Sequence, residues 1–187
     1  TVRWGGRRAR EAEEGHAVLL AGGQEPVGSE VGPEATAGGA RAPMDRLKPT
    51  GIEGRLTCIT RRGAGKGRDA LPALVQKVAA EGGPVTWVCD PMHGNTFSSP
   101  SGYKTRRFDD VLDEVRGFFE VHRDLGTHPG GIHIELTGDD VTEVMGGSED
   151  IDDAGLALRY ETRVDPRLNH QQSLELAFQV AEMLKQS

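Results

Sequence analysis

Cysteine, long apolar runs and positive net charge are all scarce in this chain, and each scarcity closes off a class of protein. Only two cysteines, Cys58 and Cys89, occur in 187 residues. Both sit in apolar, strand-like runs and neither belongs to a close-spaced metal motif, which excludes a disulfide framework or a thiolate zinc site. Their expected state is the buried, reduced thiol of a cytoplasmic protein. No stretch approaches the roughly 18 consecutive apolar residues of a membrane span, and the first residues show no charged segment followed by an apolar signal core. The expectation is a soluble, unexported chain with no membrane partner. A formal net charge of -7 and a pI near 5.4 argue against a nucleic-acid surface. Local arginine clusters can still hold a small phosphate.

Length sets the next bound. The 187 residues fit one domain, whereas a closed eight-stranded α/β barrel typically needs about 250 and has a lower limit near 200. The chain also begins with Thr1 and enters at once at Trp4-Gly5-Gly6-Arg7-Arg8. The expectation is a C-terminal portion of a longer design.

Apolar, strand-like runs recur at Val27–Val31, Arg55–Ile59, Val85–Cys89, Ile132–Leu136 and, more weakly, Leu156–Val164. They are spaced like βα repeats, and three stretches between or after them carry helical periodicity, which predicts a parallel α/β fold. One helix is expected from about Arg68 to Ala80, burying Leu71, Leu74, Val75 and Val78, with Pro72 in its first turn where a missing N–H costs little. A second is expected from Phe108 to His122, with a stripe of Phe108, Val111, Leu112, Val115, Phe118 and Phe119, and with Asp109, Asp110 and Asp113 near the N-terminal end of the dipole. A third is expected from Gln171 to Gln186, burying Leu174, Ala177, Phe178, Ala181 and Leu184. The first 50 or so residues, rich in Gly and Ala as in Ala21-Gly22-Gly23 and Ala35–Pro43, are expected to be poorly ordered.

Chemistry concentrates at strand ends. Val85-Thr86-Trp87-Val88-Cys89 breaks into Asp90-Pro91-Met92-His93-Gly94-Asn95-Thr96, which delivers polar groups to one mouth of a parallel barrel. Two later segments, Ile132–Gly138 and Tyr160–Asn169, end similarly, so His93, Glu135 and Asp165 would converge as one nitrogen and two carboxylate ligands. Such a set suits Mn²⁺, Fe²⁺, Co²⁺ or Zn²⁺ and leaves positions open for substrate. The plainer alternative is that strand-end carboxylates cap helices or pair with arginine, as Asp165 could with Arg167. Arg61 in Arg61-Arg62-Gly63 can present a guanidinium fork to a phosphate, and Lys104-Thr105-Arg106-Arg107 precedes a helix N-terminus. Against this stands a solvated basic face, the stronger reading for Arg106 and Arg107. His16, His122 and His128 read as surface or loop histidines.

The stretches Arg55–Arg61, Trp87–Thr96, Gly102–Arg106, Gly130–Gly138 and Asp165–Asn169 closely resemble class II (plant-type) 3-deoxy-D-arabino-heptulosonate 7-phosphate synthase. The resemblance covers Gly54–Lys185 and, more loosely, Trp4–Arg8 and Pro26–Pro33. It implies an incomplete TIM (β/α)8 barrel of roughly strands three to eight, with 54–187 as the C-terminal part of the synthase barrel and 1–53 as a degenerate N-terminal segment. It implies a transferase that condenses phosphoenolpyruvate with erythrose 4-phosphate, the first step of the shikimate route to chorismate and the aromatic amino acids. It also implies a divalent metal, Mn²⁺ first, held by a Cys, His93, Glu135 and Asp165, the Cys belonging to an early strand this chain lacks. Arg8 and Arg61 match phosphoenolpyruvate ligands, and Lys104 matches a lysine assigned to the sugar phosphate.

The departures are specific. Glu30 stands where the family has an active-site lysine, Arg7 where it has an acid, and Val144 and Val164 where it has cysteines. A carboxylate facing a phosphate reverses an attraction of several kcal/mol in a partly desolvated site. The chain alone is therefore expected to turn over little, and to need an oligomeric or complementing partner. The alternative is a truncated or degenerate paralogue, non-catalytic, acting as a partner or regulatory subunit. A different metal-dependent barrel enzyme is a third reading, on fold analogy alone.

Overall fold

The structure, a computed structural model, describes residues 3–5, 25–31, 52–80 and 84–186. The glycine-rich segments for which poor order is expected lie outside these residues. Five parallel strands form one sheet in sequential order: β1 (Arg3–Gly5), β2 (Val27–Val31), β3 (Leu56–Thr60), β4 (Val85–Cys89) and, at the far edge, β7 (Pro129–Ile132). A small antiparallel hairpin, β5 (Phe97–Ser98) with β6 (Lys104–Thr105), interrupts the connection after β4. The class is α/β with parallel strands, and the order fits part of a TIM-like barrel.

The helices form where the apolar spacing places them. Helix α1 (Gly67–Ala80) buries Leu71, Leu74, Val75 and Val78, and α2 (Phe108–Asp124) buries the predicted stripe of Phe108, Val111, Leu112, Val115, Phe118 and Phe119. These side chains make one core with Cys58, Trp87, Cys89 and Met92 from the sheet. Burial pushes the Cys58 thiol up to about 12, and both cysteines are free and buried. No helix among the described residues is long and apolar enough to cross a membrane.

Four expectations are corrected. The strand placed at Ile132–Leu136 forms earlier, at Pro129–Ile132, because Gly130 lets the backbones close up. A Cβ there would lie 2.6 Å from Thr86 Cγ2 and 2.7 Å from the Trp87 carbonyl. The weak strand at Leu156–Val164 is absent: Gly155–Leu158 is a 3-10 turn, and the following N–H groups bond to side chains rather than to a neighbouring strand. Arg159 N–H donates to Thr142 Oγ1 at 2.9 Å and Thr162 N–H to Glu143 Oε1 at 2.8 Å. Helix α3 (His170–Lys185) is present but turned. Leu176 is buried, with Val180 and Met183 packed on the core, whereas Phe178 is 71% exposed and Leu174 and Leu184 are also exposed. The helix has two apolar stripes, and a capping box between Asn169 and Gln172, both buried, decides which faces inward. Finally, His122 is a core residue, packed on Phe118 and Trp87 and bonded through Nδ1 to Thr127 Oγ1 at 2.7 Å. His16 lies outside the described residues, and His128 is exposed as expected.

Candidate metal centre

At the carboxyl end of β4 the fully buried Asp90 makes the turn that carries His93. Its Oδ1 accepts the N–H groups of Met92 and His93 at 3.0 and 3.2 Å, and its Oδ2 lies 2.8 Å from His93 Nδ1. With Nδ1–H directed at Asp90, Nε2 faces outward, 3.3 Å from Glu135 Oε1. A carboxylate on one ring nitrogen is how proteins fix the tautomer and orientation of a ligating imidazole. The hydrogen bond that His93 donates to Asp90, then the one to Glu135, lifts the His93 pKa to about 10.

Glu135 and Asp165 arrive on two extended segments that touch beyond the sheet. Leu168 N–H donates to the Glu135 carbonyl at 3.0 Å and Thr137 N–H to the Leu168 carbonyl at 2.9 Å, around a parallel bridge between Leu136 and Leu168. One ligand atom each from His93, Glu135 and Asp165 lies within 4.8 Å of the others. Roughly 2 Å bonds from a shared divalent ion fit that spacing, and one nitrogen with two carboxylate oxygens is a donor set for a borderline cation. The carboxylates border a pocket of about 380 Å³, shared with Thr162 and Arg167.

The ion pairs differ from the plain reading of the sequence. Asp165 pairs with Lys104, not with Arg167; Arg167 turns away to the fully buried Glu143, at 2.6 Å. Burial works to raise the Glu143 pKa, but Arg167 outweighs it and holds the carboxyl below its ordinary range. Arg106 is not part of a solvated basic face. It is fully buried, with Nη2 2.7 Å from Glu135 Oε2. Arg107 is exposed and lies over the Phe97 ring at 5.0 Å.

A second corner sits beside the first, at the ends of β2 and β3. Arg61 follows β3, and its Nη2 lies 3.2 Å from Glu30 Oε2 on β2. The loops after β3 and β4 meet so closely that a Cβ on Gly94 would fall 2.6 Å from Gly63 N. Glu114 of α2 ties them: Oε1 accepts the Arg62 N–H at 2.6 Å and Oε2 accepts Asn95 Nδ2–H at 2.7 Å. Asn95 Oδ1 in turn accepts the Ala64 N–H at 2.8 Å. Burial, partly offset by these donors, raises the Glu114 pKa to about 7.

Comparison with known proteins gives this geometry a context. Residues 1–181 match the model of the class-II DAHP synthetase family. The chain belongs to that family. It is 57% identical over 182 residues to a phospho-2-dehydro-3-deoxyheptonate aldolase of Streptomyces coelicolor and 56% identical over the same length to one of Mycolicibacterium smegmatis. Both matches cover 97% of this chain, but only 40% and 39% of those relatives. A Streptomyces lividans protein with the same aldolase name is 61% identical over 142 residues, which is 76% of this chain and 97% of the relative. The chain thus spans about two-fifths of the first two relatives.

Within the family frame, the structure gathers His93, Glu135, Asp165 and Lys104 at one corner and sets Arg61 against Glu30 at the next. Arg8, and Arg7 beside it, lie outside the described residues. The sequence reading missed Asp90, Arg106 and Glu114 as parts of the site. Asp90 carried a signal, since a carboxylate three residues before a histidine in a turn can reach its ring. Arg106 carried none that separates it from Arg107.

Proposed function

We propose that this chain supplies the metal-binding and part of the phosphate-binding machinery for condensing phosphoenolpyruvate with erythrose 4-phosphate, the entry step to aromatic amino acid biosynthesis, in the cytoplasm. The convergence of His93, Glu135 and Asp165 within 4.8 Å, in a chain of this family, carries the reading. Residues 54–187 are the C-terminal part of an incomplete TIM barrel, and 1–53 its degenerate N-terminal segment.

In this reading His93 Nε2, Glu135 and Asp165 hold a divalent ion, Mn²⁺ before Co²⁺, Fe²⁺ or Zn²⁺. When bound, that ion polarises the aldehyde of the sugar phosphate. Asp90 keeps the His93 ring oriented, while Arg61 and, by family likeness, Arg8 attract the phosphate of phosphoenolpyruvate. Lys104 faces the sugar phosphate once it leaves Asp165. The methylene carbon of phosphoenolpyruvate attacks the aldehyde carbon, water adds at the phosphate-bearing carbon and its proton goes to the former aldehyde oxygen, and phosphate departs as the new keto group forms. Cations at these positions favour that sequence by meeting the phosphate charge it carries.

One observation favours a second reading, a non-catalytic partner or regulatory paralogue. Glu30 occupies Arg61 with an ion pair, so a phosphate must displace a carboxylate to bind there. The deciding experiment is release of phosphate from phosphoenolpyruvate that depends on erythrose 4-phosphate and Mn²⁺. The chain alone should give little turnover; the N-terminal portion of a family member added in trans should raise it, and Glu30→Lys should raise it further. Failure of both additions favours the partner reading, whereas brisk turnover by the unmodified chain alone contradicts the inhibitory role of Glu30.

A further inference from the structure

Burying an arginine is expensive unless its charge and its donors are met, and Arg106 is fully buried. Its contacts account for the position. Nε donates to the Met92 carbonyl at 2.8 Å and lies 3.3 Å from Thr96 Oγ1. Nη1 donates to the Pro166 carbonyl. Nη2 lies 2.7 Å from Glu135 Oε2 and 3.9 Å from Asp165 Oδ1. One rigid guanidinium therefore reaches the residue before His93, the residue after Asp165, and Glu135 itself.

We propose that Arg106 is the positioning residue of the metal centre, setting the three ligand segments at their mutual spacing and choosing which Glu135 oxygen faces the ion. The inference rests on reading His93, Glu135 and Asp165 as metal ligands. The Nη2 contact to Oε2 is short but not aligned as a hydrogen bond, so charge draws Oε2 back into the protein. Oε1 is left toward His93 Nε2, at 3.3 Å. The two carbonyl contacts hold the turns beside His93 and Asp165 at fixed depth. Lysine cannot do this, because its point charge lacks the planar fork that serves several acceptors at once.

A role through charge alone makes the opposite prediction. A guanidinium beside two carboxylates repels an incoming divalent cation, so on charge alone Arg106→Met would tighten metal binding and Arg106→Lys would leave it unchanged. Positioning requires both to weaken it. The test titrates Mn²⁺ into the full chain by calorimetry and records the visible absorption of the Co²⁺ form, which reports ligand geometry. Circular dichroism melts of the metal-free proteins check the fold.

Arg106→Lys should weaken Mn²⁺ binding about 10- to 100-fold, the usual loss when an outer partner of a metal ligand is changed, and should alter the Co²⁺ bands. Arg106→Met should weaken it at least as much. Should Arg106→Met fail to fold, Arg106→Lys carries the test. Unchanged affinity and Co²⁺ spectrum in Arg106→Lys, or tighter binding in Arg106→Met, overturns the proposal, as does failure of both variants to fold. Absence of Mn²⁺ binding by the unmodified chain removes the metal reading itself, and this inference with it.

Discussion

The proposed metal corner and the proposed phosphate corner share one end of one sheet, yet they treat charge in opposite ways. Around His93, each carboxylate is held by a cation or a backbone donor, Asp90 by His93 and two N–H groups, Glu135 by Arg106 and Asp165 by Lys104, and one ligand atom each of His93, Glu135 and Asp165 lies within 4.8 Å of the others. Around Arg61 the cation is already met by a carboxylate, Glu30. One corner is prepared for a ligand and the other is filled from within. The difference turns on a single side chain, Glu30, whereas the prepared corner depends on residues from four segments.

That contrast yields graded expectations. The largest effect is expected from His93→Ala, which should lower Mn²⁺ affinity by more than the roughly 10- to 100-fold typical of an outer-partner change, measured by calorimetry, and leave inorganic phosphate binding unaltered. Loss of phosphate binding as well would mean that the two corners are one site. Next, Glu30→Lys should tighten phosphoenolpyruvate binding by about tenfold, roughly 1.4 kcal/mol, with Mn²⁺ affinity unchanged. Unaltered phosphoenolpyruvate binding would show that the Glu30 ion pair is no obstacle.

The smallest effect concerns pH and the helix that underlies both corners. Glu114, raised from 4.5 to about 7, binds a proton more readily in the folded state, so it makes stability fall as pH rises from 4.5 through 7. His122, lowered by burial from 6.5 to about 4, does the reverse: its contribution is lost as pH falls from 6.5 through 4. Asp90, Glu135 and Glu143 are held low and titrate below this window, and His93, near 10, above it. The two slopes should nearly cancel between about pH 4.5 and 6.5. Glu114→Gln removes one of them, so denaturant titrations of that variant should show stability dropping on acidification by up to about 1.4 kcal/mol per pH unit. A profile as flat as that of the unmodified chain would contradict the assignment of either group.

Much of this arrangement is legible in the sequence, for definable reasons. Val27–Val31 and Val85–Cys89 form strands where the apolar runs place them, and α1 and α2 bury the stripes that periodicity selects. The grouping of His93, Glu135 and Asp165 is legible because a histidine and two carboxylates each follow an apolar run. What periodicity does not decide is which of two apolar stripes on α3 turns inward, since Leu174, Phe178 and Leu184 compete with Leu176, Val180 and Met183. Nor does local sequence show that Arg106 turns in while Arg107 turns out, because the cause is a carboxylate 29 positions away at Glu135. The missing strand at Leu156–Val164 has the same origin, for Thr142 and Glu143 side chains take over the bonds that a ladder would supply.

Glu114 has a kinetic consequence. Its two oxygens and the amide of Asn95 close a short circuit from α2 through the loop after β3 to the loop after β4. The Arg62 and Ala64 amides cannot be released to solvent one at a time without leaving a buried partner bare. Their deuterium uptake should therefore follow one shared opening event, and the rate of that opening sets how often both corners become slack together.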